Sequence, residues 1–182
     1  MFNKFLFAAL LIIAFVIIGT AQTTGLKDYY NKENKVGFKY PAKKWKMEKE
    51  ESQYVSGEES GFNLLADIRR EDNALPENIS EAEVSLKTAA LDEPTCTAMK
   101  IDNLNPYKTI AKKIGTRKFY YVETDDGSAG HISVTQFYRT FNDGRCYELA
   151  FTTFGENTRK RAQSNKIMDQ QFNSILRSLY FK

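Results

Sequence analysis

One histidine, two cysteines and one tryptophan are all that 182 residues hold of those types, and each shortage closes off a class of chemistry. A Cys-His or Ser-His nucleophile needs an imidazole within hydrogen-bond reach, and His131 is the sole candidate. A structural zinc site needs four ligands at short spacing, yet neither Cys96 nor Cys146 has a Cys or His neighbour at that spacing. A Gly-rich phosphate loop, a Gly-x-Ser-x-Gly elbow and a zinc-protease helix motif are also missing. Without a Pro/Ser-rich linker, an internal repeat or a low-complexity tract, residues 22–182 are expected to form a single domain with one core.

Long apolar runs are scarce as well. The one present, Phe5 to Ile18, follows a short basic start and leads into Gly19-Thr20-Ala21. That is the layout of a secretory signal peptide, residues 1–21, with cleavage expected before Gln22. A spanning helix needs about 18 to 20 apolar residues, so an uncleaved N-terminal anchor is the alternative and the only route to a membrane. No cysteine follows the run, which excludes a diacyl-lipid anchor.

Charge of one sign is lacking too. Losing Lys4 with the signal takes the 26 basic residues to 25 against 23 acidic ones. Interspersed charge of this kind excludes a nucleic-acid footprint. "KYPAKKWKMEKE" and "TRKRAQSNK" could form a polyanion or membrane-surface patch, but acidic residues accompany the first and a polar helix start suits the second.

What the chain does have is aromatic residues at strand spacing, with 13 Phe and 10 Tyr. Pro41 should end an extended Phe38–Tyr40 segment at a sheet edge or turn before Trp45. A strand is expected from Phe62 to Arg69. "SEAEVSLKTA" alternates Ala82, Val84 and Leu86 with polar residues, a half-buried strand, although Ser80 and Glu83 also spell a helix capping box. Short strands are expected over Thr109–Ile114 and Lys118–Glu123, followed by a turn at Asp125–Gly130. Asn142-Asp143-Gly144 between two β-rich runs predicts a tight hairpin. From about Asn165 to Arg177 the period changes, placing Met168, Phe172, Ile175, Leu176 and Leu179 on one helical face and Asp169, Gln170, Asn173 and Arg177 elsewhere. "SLYFK" reads as a closing edge strand. The fold class is therefore α+β: an antiparallel sheet with a C-terminal amphipathic helix packed on it.

The hairpin bears on Cys146. With the turn at Asp143-Gly144, His131 lies far along the facing strand, roughly 30 Å from Cys146 at about 3.3 Å per residue. Thiol catalysis through that pair is excluded at such a distance. In an oxidising compartment two cysteines allow one intramolecular bridge, Cys96 to Cys146. The alternatives are inert or intermolecular thiols.

Other groups carry weaker signals. Glu123, Asp125 and Asp126 lack the alternating carboxylate spacing of a calcium loop and read as a polar turn. Glu71 with Asp72, and Glu81 with Glu83, are carboxylate pairs a hydrolase could use if a cleft held two of them within about 5 to 10 Å. A pocket lined by Tyr120, Tyr121, Phe137 and Tyr138 is the alternative to reading those aromatics as core. Asn78-Ile79-Ser80 is a glycosylation sequon, relevant only in a eukaryotic host.

"VGFKYPAKKW", "ENISEAEVSL" ahead of the first cysteine, "GRCYELAFTT" and a closing helix into "ILRSLYFK" occur in that order. This order resembles small exported bacterial proteins of the PsbP-like superfamily, over nearly the whole mature chain. The resemblance implies an antiparallel sheet with helices packed on it, a secreted or periplasmic location, paired cysteines matching Cys96 and Cys146, and an accessory or binding role instead of an enzymatic one. The metal-interacting residues of photosynthetic members have no counterparts here. The expectation is thus a monomeric, non-catalytic exported domain without metal or cofactor, which binds an envelope or extracellular protein or a small ligand. A secreted inhibitor of a hydrolase is the alternative, with Asp125, Asp126, Gly127, Ser128, Gly130 and His131 as its binding loop.

Overall fold

A computed structural model describes residues 25–52, 61–70, 75–99 and 109–182, with 49–52 described by their backbone alone. The signal segment, its cleavage point, and Glu71 with Asp72 lie outside these residues. Among the described residues no helix is long and apolar enough to cross a membrane.

Ten strands and two helices occur among the described residues. A small antiparallel sheet has β2 (Val36–Pro41) between β1 (Leu26–Asn31) and β10 (Tyr180–Phe181). The larger sheet has seven strands, all paired antiparallel. In spatial order they are β3 (Lys46–Ser52), β4 (Asn63–Arg70), β5 (Glu81–Ala89), β9 (Arg145–Glu156), β8 (His131–Asn142), β7 (Arg117–Ser128) and β6 (Ile110–Ile114). The fold is α+β, as the sequence predicts, with helix α2 (Arg161–Arg177) on one face of the large sheet.

Local chemistry explains most element boundaries. β2 stops at Pro41, and the amides of Lys44 and Trp45 both bond the Pro41 carbonyl to close a turn. "SEAEVSLKTA" is the strand β5, so its period-2 pattern wins over the capping box. The β8–β9 hairpin turns at Asp143-Gly144, where φ is 50° and 74°, the two positive values a tight primed turn requires.

Two expectations need correction. Asp125–Ser128 do not form a turn: β7 continues through them, pairing Asp125 with Val134 and Ser128 with His131. The turn is Ala129-Gly130, again with positive φ, 51° and 85°. Backbone pairing with the β-rich β8 overrides the poor strand propensity of Asp and Gly, and β6 ends short of them, so the acids stand on an exposed edge. The helix starts at Arg161, not near Asn165, because its first turn buries Arg161 and Ser164, polar residues that an apolar-face count passes over.

The core lies between the large sheet and a layer made of α2 and the small sheet. Phe172 stacks on Phe151, centroids 4.5 Å apart, and tilts against Tyr138 at 5.4 Å. Met168, Phe172 and Ile175 are wholly buried, each stabilising the helix–sheet contact by about 1.5–3 kcal/mol. Tyr29 and Phe38 extend this core under the small sheet, where the Tyr29 hydroxyl donates to the Leu65 carbonyl.

On the opposite face a short helix, α1 (Glu93–Ala98), packs against β8 and β9. Asp92 caps it, accepting from the Thr95 amide at 2.8 Å. It carries Cys96 to Cys146 at the start of β9, and the two form a disulfide with Cα atoms 5.5 Å apart. Ala89 is buried with them, and Phe62, Leu91 and Phe141 pack around the group. His131 pairs with Glu156 at the other end of the same ladder, about 33 Å along β9 from Cys146 at ~3.3 Å per residue.

Candidate functional site

Side chains on a strand alternate between faces, so residues 119, 121 and 123 of β7 share the helix-side face with residues 136 and 138 of β8. The register sets Tyr121 opposite Tyr138 and Glu123 opposite Gln136. β6 adds Lys112 from the sheet edge, opposite Phe119. From above, α2 contributes Asp169 and Asn173, one helical turn apart on the rim of its apolar stripe. Apart from Phe119, which is buried in the core, these residues line an open cleft of about 420 Å³ between the sheet edge and the helix, together with Lys113 and Ile114.

Gln136 organises the cleft. Its Nε2 donates to Glu123 Oε2 at 3.1 Å and to Asp169 Oδ1 at 2.9 Å, so the two accepting oxygens are about 6 Å apart at most. The Tyr121 hydroxyl donates to the same Glu123 oxygen at 2.7 Å. Lys112 Nζ lies 3.3 Å from the Tyr121 ring centroid and 5.5 Å from that of Tyr138, within cation–π reach of both.

The electrostatics follow from partial burial. Desolvation pushes the Asp169 carboxyl above its ordinary range, the Gln136 hydrogen bond opposes this, and the Glu123 charge adds to it. Desolvation also lowers the Lys112 ammonium, against the pull of Glu123 and Asp169. Burial first, then the carboxylates, hold the Tyr121 and Tyr138 phenols well above their usual range, so both are neutral hydroxyls. Glu123 and Asp169 share the cleft with Lys112 and Lys113, and the donors of Gln136 Nε2 and Tyr121 are committed to the acids. The cleft therefore offers carboxylate oxygens and aromatic faces, beside the Tyr138 hydroxyl, the Asn173 amide and the two lysines. Among the described residues no group of three or more His, Cys, Asp or Glu could hold a metal ion.

The residues predicted from sequence fall in several places. The pleat splits the four aromatics: Tyr121 and Tyr138 line the cleft, while Tyr120 and Phe137 belong to the opposite face. The expected binding loop is a hairpin end instead, exposed from Asp125 to His131. His131 stacks on Phe154 at 5.6 Å, and the Gly130 carbonyl accepts from the Asn157 amide. Glu81 and Glu83 do not face each other across a cleft; both pair with Arg69, at 3.2 and 3.0 Å. Lys112, Gln136, Asp169 and Asn173 escaped sequence reasoning. Placing the turn at Ala129-Gly130 would have revealed the Glu123–Gln136 pairing, because it fixes the register of the whole β7–β8 ladder.

A scan of protein-family models finds no match to the sequence, and neither does a search of curated proteins. Among solved structures, one from Bacteroides thetaiotaomicron VPI-5482 is similar at TM-score 0.52 and 14% identity, over 86% of this chain and 48% of that one. LpqN, involved in cell envelope biogenesis of Mycobacterium tuberculosis, aligns at TM-score 0.49 and 12% identity, over 94% of this chain and 96% of its own. The present chain spans about half of the Bacteroides protein. At such identity the first likeness shows the fold alone, and the second, below a TM-score of 0.5, adds nothing to it. Neither names the PsbP-like superfamily.

Proposed function

We propose that this protein is a non-catalytic, exported binding domain that takes a small ligand or a short protruding group in the Lys112–Glu123–Asp169 cleft. The observation that carries the reading is the Gln136 amide bridging two carboxylates in an open, aromatic-walled cleft. Polar groups converging in a concave site mark a binding site by default, and the raised Asp169 carboxyl is the kind of perturbation such sites show.

A carboxylate-dependent hydrolase would need space between its two acids for the scissile bond or a water. Here the Gln136 amide fills that space, with both of its hydrogens used. Export is supported by the buried Cys96–Cys146 disulfide, a bond that persists in oxidising compartments, together with the signal-like segment 1–21. An accessory role at the envelope, as in the PsbP-like resemblance, fits both.

Two experiments test the proposal. Intact mass of protein recovered from its native host should start at Gln22, with both cysteines protected from alkylation until reduction. A retained N-terminus with freely alkylated Cys146 would overturn export. Amide chemical shifts recorded against saccharides, amines and short peptides should move at Tyr121, Gln136 and Asp169. Shifts confined to Asp125–His131 would favour the inhibitor reading instead.

A further inference from the structure

We propose that the cleft recognises a primary alkylammonium group, and that the Lys112 side chain occupies the ligand's seat until the ligand displaces it. The inference rests on the cleft being the binding site and adds the class of ligand.

An ammonium is already seated there. Lys112 Nζ stands 3.3 Å from the Tyr121 centroid with the Tyr138 ring beyond it, well inside the roughly 6 Å over which a cation is held by a ring face. Glu123 and Asp169 act on it electrostatically from the sheet and from the helix. Once Lys112 swings out, Glu123 and Asp169 face only Lys113 at the cleft wall, and the negative charge then in excess attracts a cation and repels phosphate or carboxylate.

The donor inventory points the same way. Gln136 Nε2 and the Tyr121 hydroxyl spend their hydrogens on the two acids. With Lys112 swung out, an incoming group meets the Glu123 and Asp169 carboxylates beside the Tyr138 hydroxyl and the Asn173 amide, and the carboxylate oxygens suit the three donors of an ammonium.

Displacement is mechanically simple. Lys112 stands on the five-residue edge strand β6, and its flexible four-carbon stem can swing to solvent without breaking the β6–β7 ladder. About 420 Å³ is within the range of small-ligand sites.

The test uses the oxidised mature protein and two-dimensional amide spectra. Cadaverine and Nα-acetyl-lysine amide stand for a free polyamine and a peptide side chain, 1-pentanol is a neutral isostere, and N-acetylglucosamine is a saccharide control. Lys112→Met keeps the stem packing and empties the seat. It should bind both amines at least tenfold tighter than the unmodified protein, with shifts at Tyr121, Gln136 and Asp169. The tighter of the two amines identifies the source. Adding Glu123→Gln or Asp169→Asn should cost at least tenfold in amine affinity. Equal binding of 1-pentanol, or no gain from Lys112→Met in a protein with native dispersion, overturns the inference. If Lys112→Met does not fold, the unmodified protein with Glu123→Gln and Asp169→Asn decides: unchanged amine affinity overturns it. Cleft shifts with N-acetylglucosamine and none with amines would remove the amine assignment and keep the cleft. Silence from every probe would remove both.

Discussion

Strand β8 carries two polar clusters only three residues apart, Gln136 on the helix side and Arg139 on the other. On the outer face Arg139 Nε meets Glu148 Oε2 at 2.7 Å, with side chains 8% and 4% exposed, Lys87 Nζ lies 3.9 Å from the other Glu148 oxygen, and the Phe62 ring covers the guanidinium at 4.7 Å. On the inner face Glu123 is exposed, and Lys112 and Asp169 are half-buried around an open cleft. The outer cluster sets two cations against one acid, while the cleft's two acids are matched by Lys112 and Lys113. The difference that matters is access: the outer pair is buried, with the Phe62 ring over the guanidinium, while the inner acids line an open cleft. The outer cluster should therefore answer to tests of stability and the inner one to tests of binding.

The largest effect expected is on the outer side. Replacing Cys96 and Cys146 by serine opens a loop of 50 residues and should lower stability by about 4 kcal/mol, read by urea unfolding. Arg139→Met leaves Glu148 buried with only Lys87 nearby and should cost about 3 kcal/mol. A neutral result would mean that the outer pair is as solvent-accessible as the inner acids, and the contrast would collapse.

The inner cluster should respond with the opposite sign. Asp169 has a folded-state pKa above its ordinary 3.8, so its ionised form opposes folding. That penalty is present above the folded pKa and gone once pH falls below about 3.8. Asp169→Asn should stabilise the protein at pH 7, by up to about 1 kcal/mol, and the gain should vanish in melts near pH 3.5. A loss of stability at pH 7 would show that the carboxylate serves the fold. Smallest of all, Tyr121→Phe removes one exposed hydrogen bond to Glu123 and should shift stability by less than about 1 kcal/mol. A larger loss would place Tyr121 in the core with Tyr138.

Particular residues show what could be read in advance. Asp143-Gly144 announces its hairpin because a primed turn needs positive φ at both positions, a local demand. Phe172 and Met168 announce the helix because burial follows a period of 3.6. β1, by contrast, is exposed over Leu26, Lys27 and Asp28 and holds Tyr29 inward only because β2 and the core lie against it. The extension of β7 through Asp125 and Gly127 depends on a partner strand, which no local propensity reports.

Sequence alone determined the elements whose causes are local: alternation, helical period, turn glycine and a cysteine count that permits one bridge. Tertiary structure alone decided that Lys112, Glu123, Gln136 and Asp169, spread over 57 positions of chain and four elements, share one cleft. The physical reason is that strand register and helix docking set those distances. Both are chosen by the burial of Phe151, Tyr138 and Phe172, and the polar residues are carried to their places by a core in which they take no part.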